Sequence, residues 1–200
     1  MKHPVYGDTR PRSFQPGIES RHCFSSDPAD DGVKGPLGPI VAVDEHLLEP
    51  GAGFGWRVEE ELLLAYWVLE GTLRFEAHGP SRFVAPGALF VVSTGDRLRC
   101  RRRNASGAEP LRFLEIKIRG AADHAVWTDK VPTTVAGVRV NVGRYFPSFP
   151  GLALVLRGRY NEESVERFTP GYVLAWDGDP MMIYEPETED ALVLGLTLPR

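Results

Sequence analysis

Cysteine is scarce in this chain. Cys23 and Cys100 are the only two in 200 residues, too few for a disulfide framework and at a separation that matches no zinc motif. No run approaches the ~18 apolar residues that a membrane-spanning helix needs. The first residues, MKHPVYGDTRPRSF, hold no apolar signal core, so a reduced, cytoplasmic setting without membrane attachment is the expectation. Nor is there an excess of positive charge. A net charge of −4 supplies no general pull towards nucleic acid or anionic membranes. Histidine is also sparse: none lies between His46 and His78, between His78 and His124, or after His124.

What the chain does hold is turn residues. Its 21 Gly and 17 Pro point to many turns and short strands rather than long helices. Hydrophobic residues at 42% and charged residues at 25% are ordinary for a domain that buries a core. Residues 1–36 are polar and read as an N-terminal arm that packs without building the core, with a loop at Asp27–Gly32. From Pro39 short apolar strands follow: Ile40–Val43, Leu63–Leu69, Leu73–Phe75, Leu89–Val92, Leu98–Arg102 and Leu111–Ile118. In the last, Leu114, Ile116 and Ile118 alternate with Glu115, Lys117 and Arg119, the period of a half-buried strand.

The second half echoes the first. Val68-Leu69-Glu70-Gly71 matches Val155-Leu156-Arg157-Gly158, and Arg82-Phe83 before Pro86-Gly87 matches Arg167-Phe168 before Pro170-Gly171. Gly95-Asp96 matches Gly178-Asp179, and Leu111–Ile118 matches Ala191–Leu198. Fifteen residues separate Gly71 from Pro86 and twelve separate Gly158 from Pro170, so only a hairpin shortens. Two copies of one β-sandwich are expected, each hiding its sheet faces between two layers. The boundaries are 37–119 and 138–200, with 120–137 as a crossover that includes a short helix at Ala121–Trp127.

One set of motifs is specific in combination: His22-Cys23-Phe24-Ser25, Gly35-Pro36-Leu37, Pro50-Gly51-Ala52-Gly53-Phe54-Gly55, Val68-Leu69-Glu70-Gly71, Pro86-Gly87, and Asn104 with Glu109-Pro110. With them the chain resembles the pirin-like bicupins, the group that includes bacterial quercetin 2,3-dioxygenase-like proteins. The match runs from about Ser20 to Arg119 and more loosely beyond. The resemblance implies an all-β bicupin of two face-to-face cupin β-barrels. It also implies one iron or similar divalent metal in the first barrel, held by His-x-His after the glycine-rich turn and a later His-x-Glu. Period-2 spacing puts both members of each pair on one strand face, and imidazole and carboxylate suit such a metal. Carried onto this sequence, the four positions are Arg57, Glu59, Cys100 and Arg102. All four expected ligands are replaced, so neither a metal cofactor nor catalytic residues are expected.

If all four side chains point inward, the pocket holds two guanidinium groups and one carboxylate. Three readings follow. Glu59 pairs with Arg102 or Arg57 and stands in for the metal, since buried charges are tolerated when paired and Arg offers a planar fork. Removing Glu59 from such a pair costs about 3–5 kcal/mol. Alternatively, the surplus positive charge binds an anionic ligand such as a carboxylate metabolite, or Glu59 and a Cys100 thiolate form a distorted metal site. Trp67 is assigned to this pocket; with Trp56, Tyr66, Phe75 and Phe90 it is placed to line a barrel cavity, while aromatic residues in a β-barrel are mostly core.

The run Arg97–Arg103, RLRCRRR, carries five arginines. A strand sends Arg97, Arg99, Arg101 and Arg103 to the face opposite Leu98, Cys100 and Arg102, where they answer the acid of Glu59-Glu60-Glu61 or dock an acidic partner or phosphate. No aromatic interleaving or recognition helix supports base reading. Cys100 among these arginines is either a buried small residue or a thiol of lowered pKa. The functional expectation is a metal-free pirin-like cupin without dioxygenase activity, binding a small anionic or aromatic ligand or a protein partner. The rival is a quercetinase-type bicupin enzyme with a non-standard metal site.

Overall fold

Every described element is a β-strand, as the density of turn residues and short apolar runs requires. The computed structural model describes residues 3–5, 10–26, 33–34, 37–120, 126–128, 133–135, 138–143, 151–157, 160–161, 167–168, 173–176 and 185–198. Two compact units divide the chain: residues 12–22 with 40–130, and residues 1–11 with 23–39 and 131–200. Among the described residues no helix is long and apolar enough to cross a membrane.

The unit of residues 12–22 and 40–130 is built from two sheets. The larger runs Val126–Thr128, Leu89–Ser93, Leu62–Glu70, Leu111–Arg119, Ile40–Leu48, Ile18–Ser25 and Arg12–Gln15, and residues 18–22 of the sixth strand belong to this unit. The smaller runs Arg57–Glu59, Leu98–Asn104, Leu73–Glu76 and Arg82–Val84. Their facing sides make one core, in which Leu48, Tyr66, Val68, Phe90 and Phe113 of the first meet Leu73, Phe75, Val84 and Cys100 of the second. Each large side chain buried there contributes about 1.5–3 kcal/mol.

Leu111–Arg119 lies in the middle of the larger sheet, and this changes its reading. Leu114, Ile116 and Ile118 are buried on one face, and Leu111, Phe113 and Glu115 are buried on the other. The strand is not half-exposed, because the smaller sheet covers the face that carries its charged residues. Alternation along Leu62–Glu70 likewise sends Leu64, Tyr66 and Val68 into the two-sheet core and Trp67 to the opposite face.

The glycine-rich turn before Arg57 has a defined task. Gly53 lies so close to Arg103 that a Cβ would collide with its backbone, and the Phe54 N–H donates to the Arg102 carbonyl at 2.8 Å. The turn is thereby laid directly on Leu98–Asn104, and Phe54 is fixed beside Arg102. Asn104 locks the far end, with its side-chain amide donating to the carbonyl oxygens of Glu109 at 2.7 Å and Glu49 at 3.2 Å.

The other unit repeats the pattern. Its six-stranded sheet runs His3–Val5, Val173–Trp176, Gly151–Arg157, Leu192–Thr197, Val138–Gly143 and Thr133–Val135, beside a smaller sheet of Arg167–Phe168, Tyr160–Asn161 and Glu185–Pro186. Gly151–Arg157 lies between Val173–Trp176 and Leu192–Thr197 just as Leu62–Glu70 lies between Leu89–Ser93 and Leu111–Arg119. The repeated sequence landmarks thus mark equivalent strands, although Gly158, Pro170-Gly171 and Gly178-Asp179 lie outside the described residues. Two expectations need correction. The N-terminal segment does build core, because Ile18 joins the central cluster and Arg12–Gln15 pairs with Ile18–Ser25 as a hairpin. Val126 and Trp127 are strand, not helix, held by pairing with Val91 and Phe90; residues 121–125 lie outside the described set.

Candidate functional site

Arg57–Glu59 pairs antiparallel with Leu98–Asn104, setting Arg57 opposite Cys100 and Glu59 opposite Leu98. Alternation therefore delivers Glu59, Cys100 and Arg102 to the interior, where Glu59 is 9% exposed and Arg102 is fully buried. Arg57 shares that strand face but is exposed, with its guanidinium 5.1 Å from the centre of the Phe54 ring. Arg102 lies 5.2 Å from the same ring. Trp67 is not brought to the site, since it stands on the other face of its sheet. Tyr66 occupies the place assigned to it.

The partner that decides the chemistry is Glu115, which the sequence reading placed on a solvent face. The Nη2 of Arg102 donates to one oxygen of the Glu115 carboxylate at 3.0 Å and lies 2.9 Å from the other, while its Nη1 lies 3.5 Å from Glu59. Lys117, two residues along the same strand face, donates to Glu59 at 3.2 and 3.3 Å. Glu115 also accepts from the Tyr66 hydroxyl at 3.2 Å and lies 3.2 Å from His46 Nε2. The other ring nitrogen of His46 is 2.8 Å from Ser20 Oγ. Closer to the sheet edge, His22 lies between Asp44 at 2.9 Å and Ser13 at 3.1 Å. The signal for Glu115 was present in the sequence: Leu111 and Phe113 share its parity and are plainly core.

Two cations, Arg102 and Lys117, face two carboxylates, Glu59 and Glu115. Among the described residues these four charges balance, and with Arg57 exposed the surplus expected from Arg57 and Arg102 is not realised. Burial alone would raise the Glu115 carboxyl, but the adjoining Arg102 charge and the His46 contact hold it well below the usual carboxylate range. Burial opposes the Arg102 charge in turn, and Glu115 above all keeps it fully protonated. Burial pushes the Tyr66 hydroxyl well up, so it remains a donor. Burial also raises the Cys100 thiol despite Arg102, whose Nη1 is 4.0 Å from the sulfur. Cys100 is thus a packed thiol, not a ready thiolate. Among the described residues Arg102 Nε is buried with no hydrogen-bond partner.

The donor set does not fit a divalent metal. Arg102 has no acceptor to offer, Glu59 is taken up by Lys117 and Arg102, and Cys100 lies beside the Arg102 guanidinium, whose charge repels a cation. Among the described residues no group of three or more His, Cys, Asp or Glu side chains is placed to hold a metal ion.

Two paired sheets of this order, repeated in both halves, define a pirin-like cupin fold. The bacterial pirin YhhW of Escherichia coli, solved with nickel(II), superposes over all of this chain and all of its own with a TM-score of 0.81 at 18% identity. Quercetin 2,3-dioxygenase from Acinetobacter baumannii gives a TM-score of 0.74 at 11% identity, covering all of this chain and 86% of the enzyme. In sequence, a Mycobacterium tuberculosis protein provisionally named a quercetin 2,3-dioxygenase is 28% identical over 100 residues, half of this chain. The chain spans 41% of the length of that relative. No family model matches the sequence.

Proposed function

We propose that this chain is a binding or regulatory cupin in which an ion-pair network takes the place of the metal, and that it does not carry out metal-dependent dioxygenation. The observation that carries this reading is Arg102, fully buried where the resemblance puts a carboxylate ligand and held there by Glu115 and Glu59. Arg at that position repels a cation and supplies none of its ligands. Oxygen chemistry on a flavonol is delegated to a redox metal in proteins of this kind, and the residues left here offer no evident substitute. The unpartnered Nε of Arg102 favours a ligand that presents an acceptor oxygen, because an unmade buried hydrogen bond costs about 1–3 kcal/mol.

The rival, a quercetinase with an unusual metal site on Glu59 and Cys100, meets a carboxylate already engaged by two cations and a thiol beside a guanidinium. Oxygen uptake with quercetin, after exchange of the purified protein with iron, manganese, nickel and zinc in turn, tests the proposal. The expected rate is that of the protein-free control. Sustained uptake that follows the metal and disappears in Glu59→Ala contradicts it.

A further inference from the structure

The outer face of the four-stranded sheet is unlike the rest of the described surface. Register places Arg99 opposite Val58, Arg101 opposite Glu76, Arg103 opposite Arg74, and Arg74 opposite Phe83, so all seven share the side away from the core. Trp56 lies against it, with its ring 5.0 Å from the Arg99 guanidinium and 4.8 Å from that of Arg101. Four large hydrophobic residues are exposed among the described residues, and three of them lie on or against this face: Trp56 at 44%, Val58 at 44% and Phe83 at 55%. Four arginines answer one carboxylate on this face, in a chain whose net charge is −4.

We infer that this face docks an extended acidic segment of a partner protein, independently of what the interior binds. Glu76 takes two of the four guanidinium groups, Arg101 through two hydrogen bonds at 2.6 and 3.2 Å and Arg74 at 2.9 Å. Arg99 and Arg103 have no carboxylate partner among the described residues. Their neighbours are the Trp56 ring and the Gly51 carbonyl. Residues 99, 101 and 103 alternate along one strand, so their Cα atoms repeat at about 6.8 Å. An extended chain with an acidic residue at every second position repeats at the same distance. The guanidinium fork suits carboxylates, and Trp and Arg with apolar neighbours are the composition of interface hot spots. Stacking on Trp56 and pairing with Glu76 hold the arginines in place, so little side-chain entropy is lost on docking. Glu76 in the middle of the patch and Glu60, 3.7 Å from Arg97 at its end, count against a polyphosphate backbone.

A fluorescein-labelled decapeptide with Glu alternating with Val and Phe is the probe, read by anisotropy on the full chain at low and high salt. We expect saturable binding that weakens with salt and falls about tenfold in Arg99→Glu, as for a reversed interface charge. Trp56→Ala weakens it too, and Arg139→Glu, the same charge change on an exposed residue of the other unit, leaves it unchanged. All three positions are at the surface, and unchanged urea midpoints certify the folds. The inference is overturned by no binding, by equal loss in Arg99→Glu and Arg139→Glu, or by tighter binding of a thymidine decanucleotide or of phosphatidylserine vesicles. Loss of docking says nothing against the interior network, which none of these variants touches.

Discussion

Glu115→Gln keeps the shape of the side chain and removes its charge. Arg102, buried at 0% exposure, is then left with Glu59 alone, 3.5 Å away. Breaking a buried pair from one side costs about 3–5 kcal/mol. The amide oxygen still accepts one hydrogen bond, from Tyr66 or Arg102, returning about 0.5–1.5 kcal/mol. A net loss of about 2–4 kcal/mol follows, a large share of the ~5–15 kcal/mol typical of a folded chain. For a chain of this length it lowers Tm by roughly 4–16 °C. Urea titration followed by circular dichroism measures the free energy directly. The companion variant replaces both partners, Glu115→Leu with Arg102→Met, and recovers most of the loss because no charge is left buried. A cost below about 1 kcal/mol for Glu115→Gln, the level of an exposed pair, refutes the network as the organiser of this interior. So does a double variant no better than the single one.

Glu59→Ala is the milder change. The Lys117 side chain is 21% exposed and Arg102 keeps Glu115, so we expect about 1–2 kcal/mol rather than the 3–5 of an orphaned buried charge; a loss as large as that of Glu115→Ala contradicts the ranking. Acid should expose the network as well. Because Glu115 has a lowered carboxyl pKa in the folded state, its contribution is complete above the ordinary value of about 4.3 and is lost as pH falls below it towards the folded value. Wild-type stability should therefore fall more steeply in that window than that of the Glu115→Leu, Arg102→Met variant, and parallel curves count against the assignment. Cys100, buried with a raised thiol pKa, should resist a thiol reagent at about pH 8 until urea unfolds the chain; rapid native labelling at Cys100 shows a reactive thiolate instead.

Much of this was legible in the residues. Period-2 alternation in Leu98–Asn104 sorted Arg102 inside and Arg99, Arg101 and Arg103 outside, and both placements hold in the structure. Glu115 and Lys117 were harder to place, because the one signal for an interior position was the parity they share with Leu111 and Phe113. Alternation tells which side chains share a face but not whether a second sheet covers it, and two charged residues made the covered face look wet. The strand Arg57–Glu59 is three residues long, too short to signal itself, and is held by pairing with Leu98–Cys100. Trp67 was misplaced for a simpler reason: its neighbour Tyr66 had the better claim to the same interior, and adjacent strand residues cannot both face it. The hairpin Arg12–Ile18 was hidden by polar composition, since its first strand is wholly exposed.

On the proposed reading Arg102 and its carboxylates replace a metal. Metal content per chain, measured after exchange with iron, manganese, nickel and zinc followed by desalting, tests it most directly. No stoichiometric metal is expected, because a guanidinium stands where a ligand is needed. About one tightly held metal per chain, lost in Glu59→Ala, would contradict it.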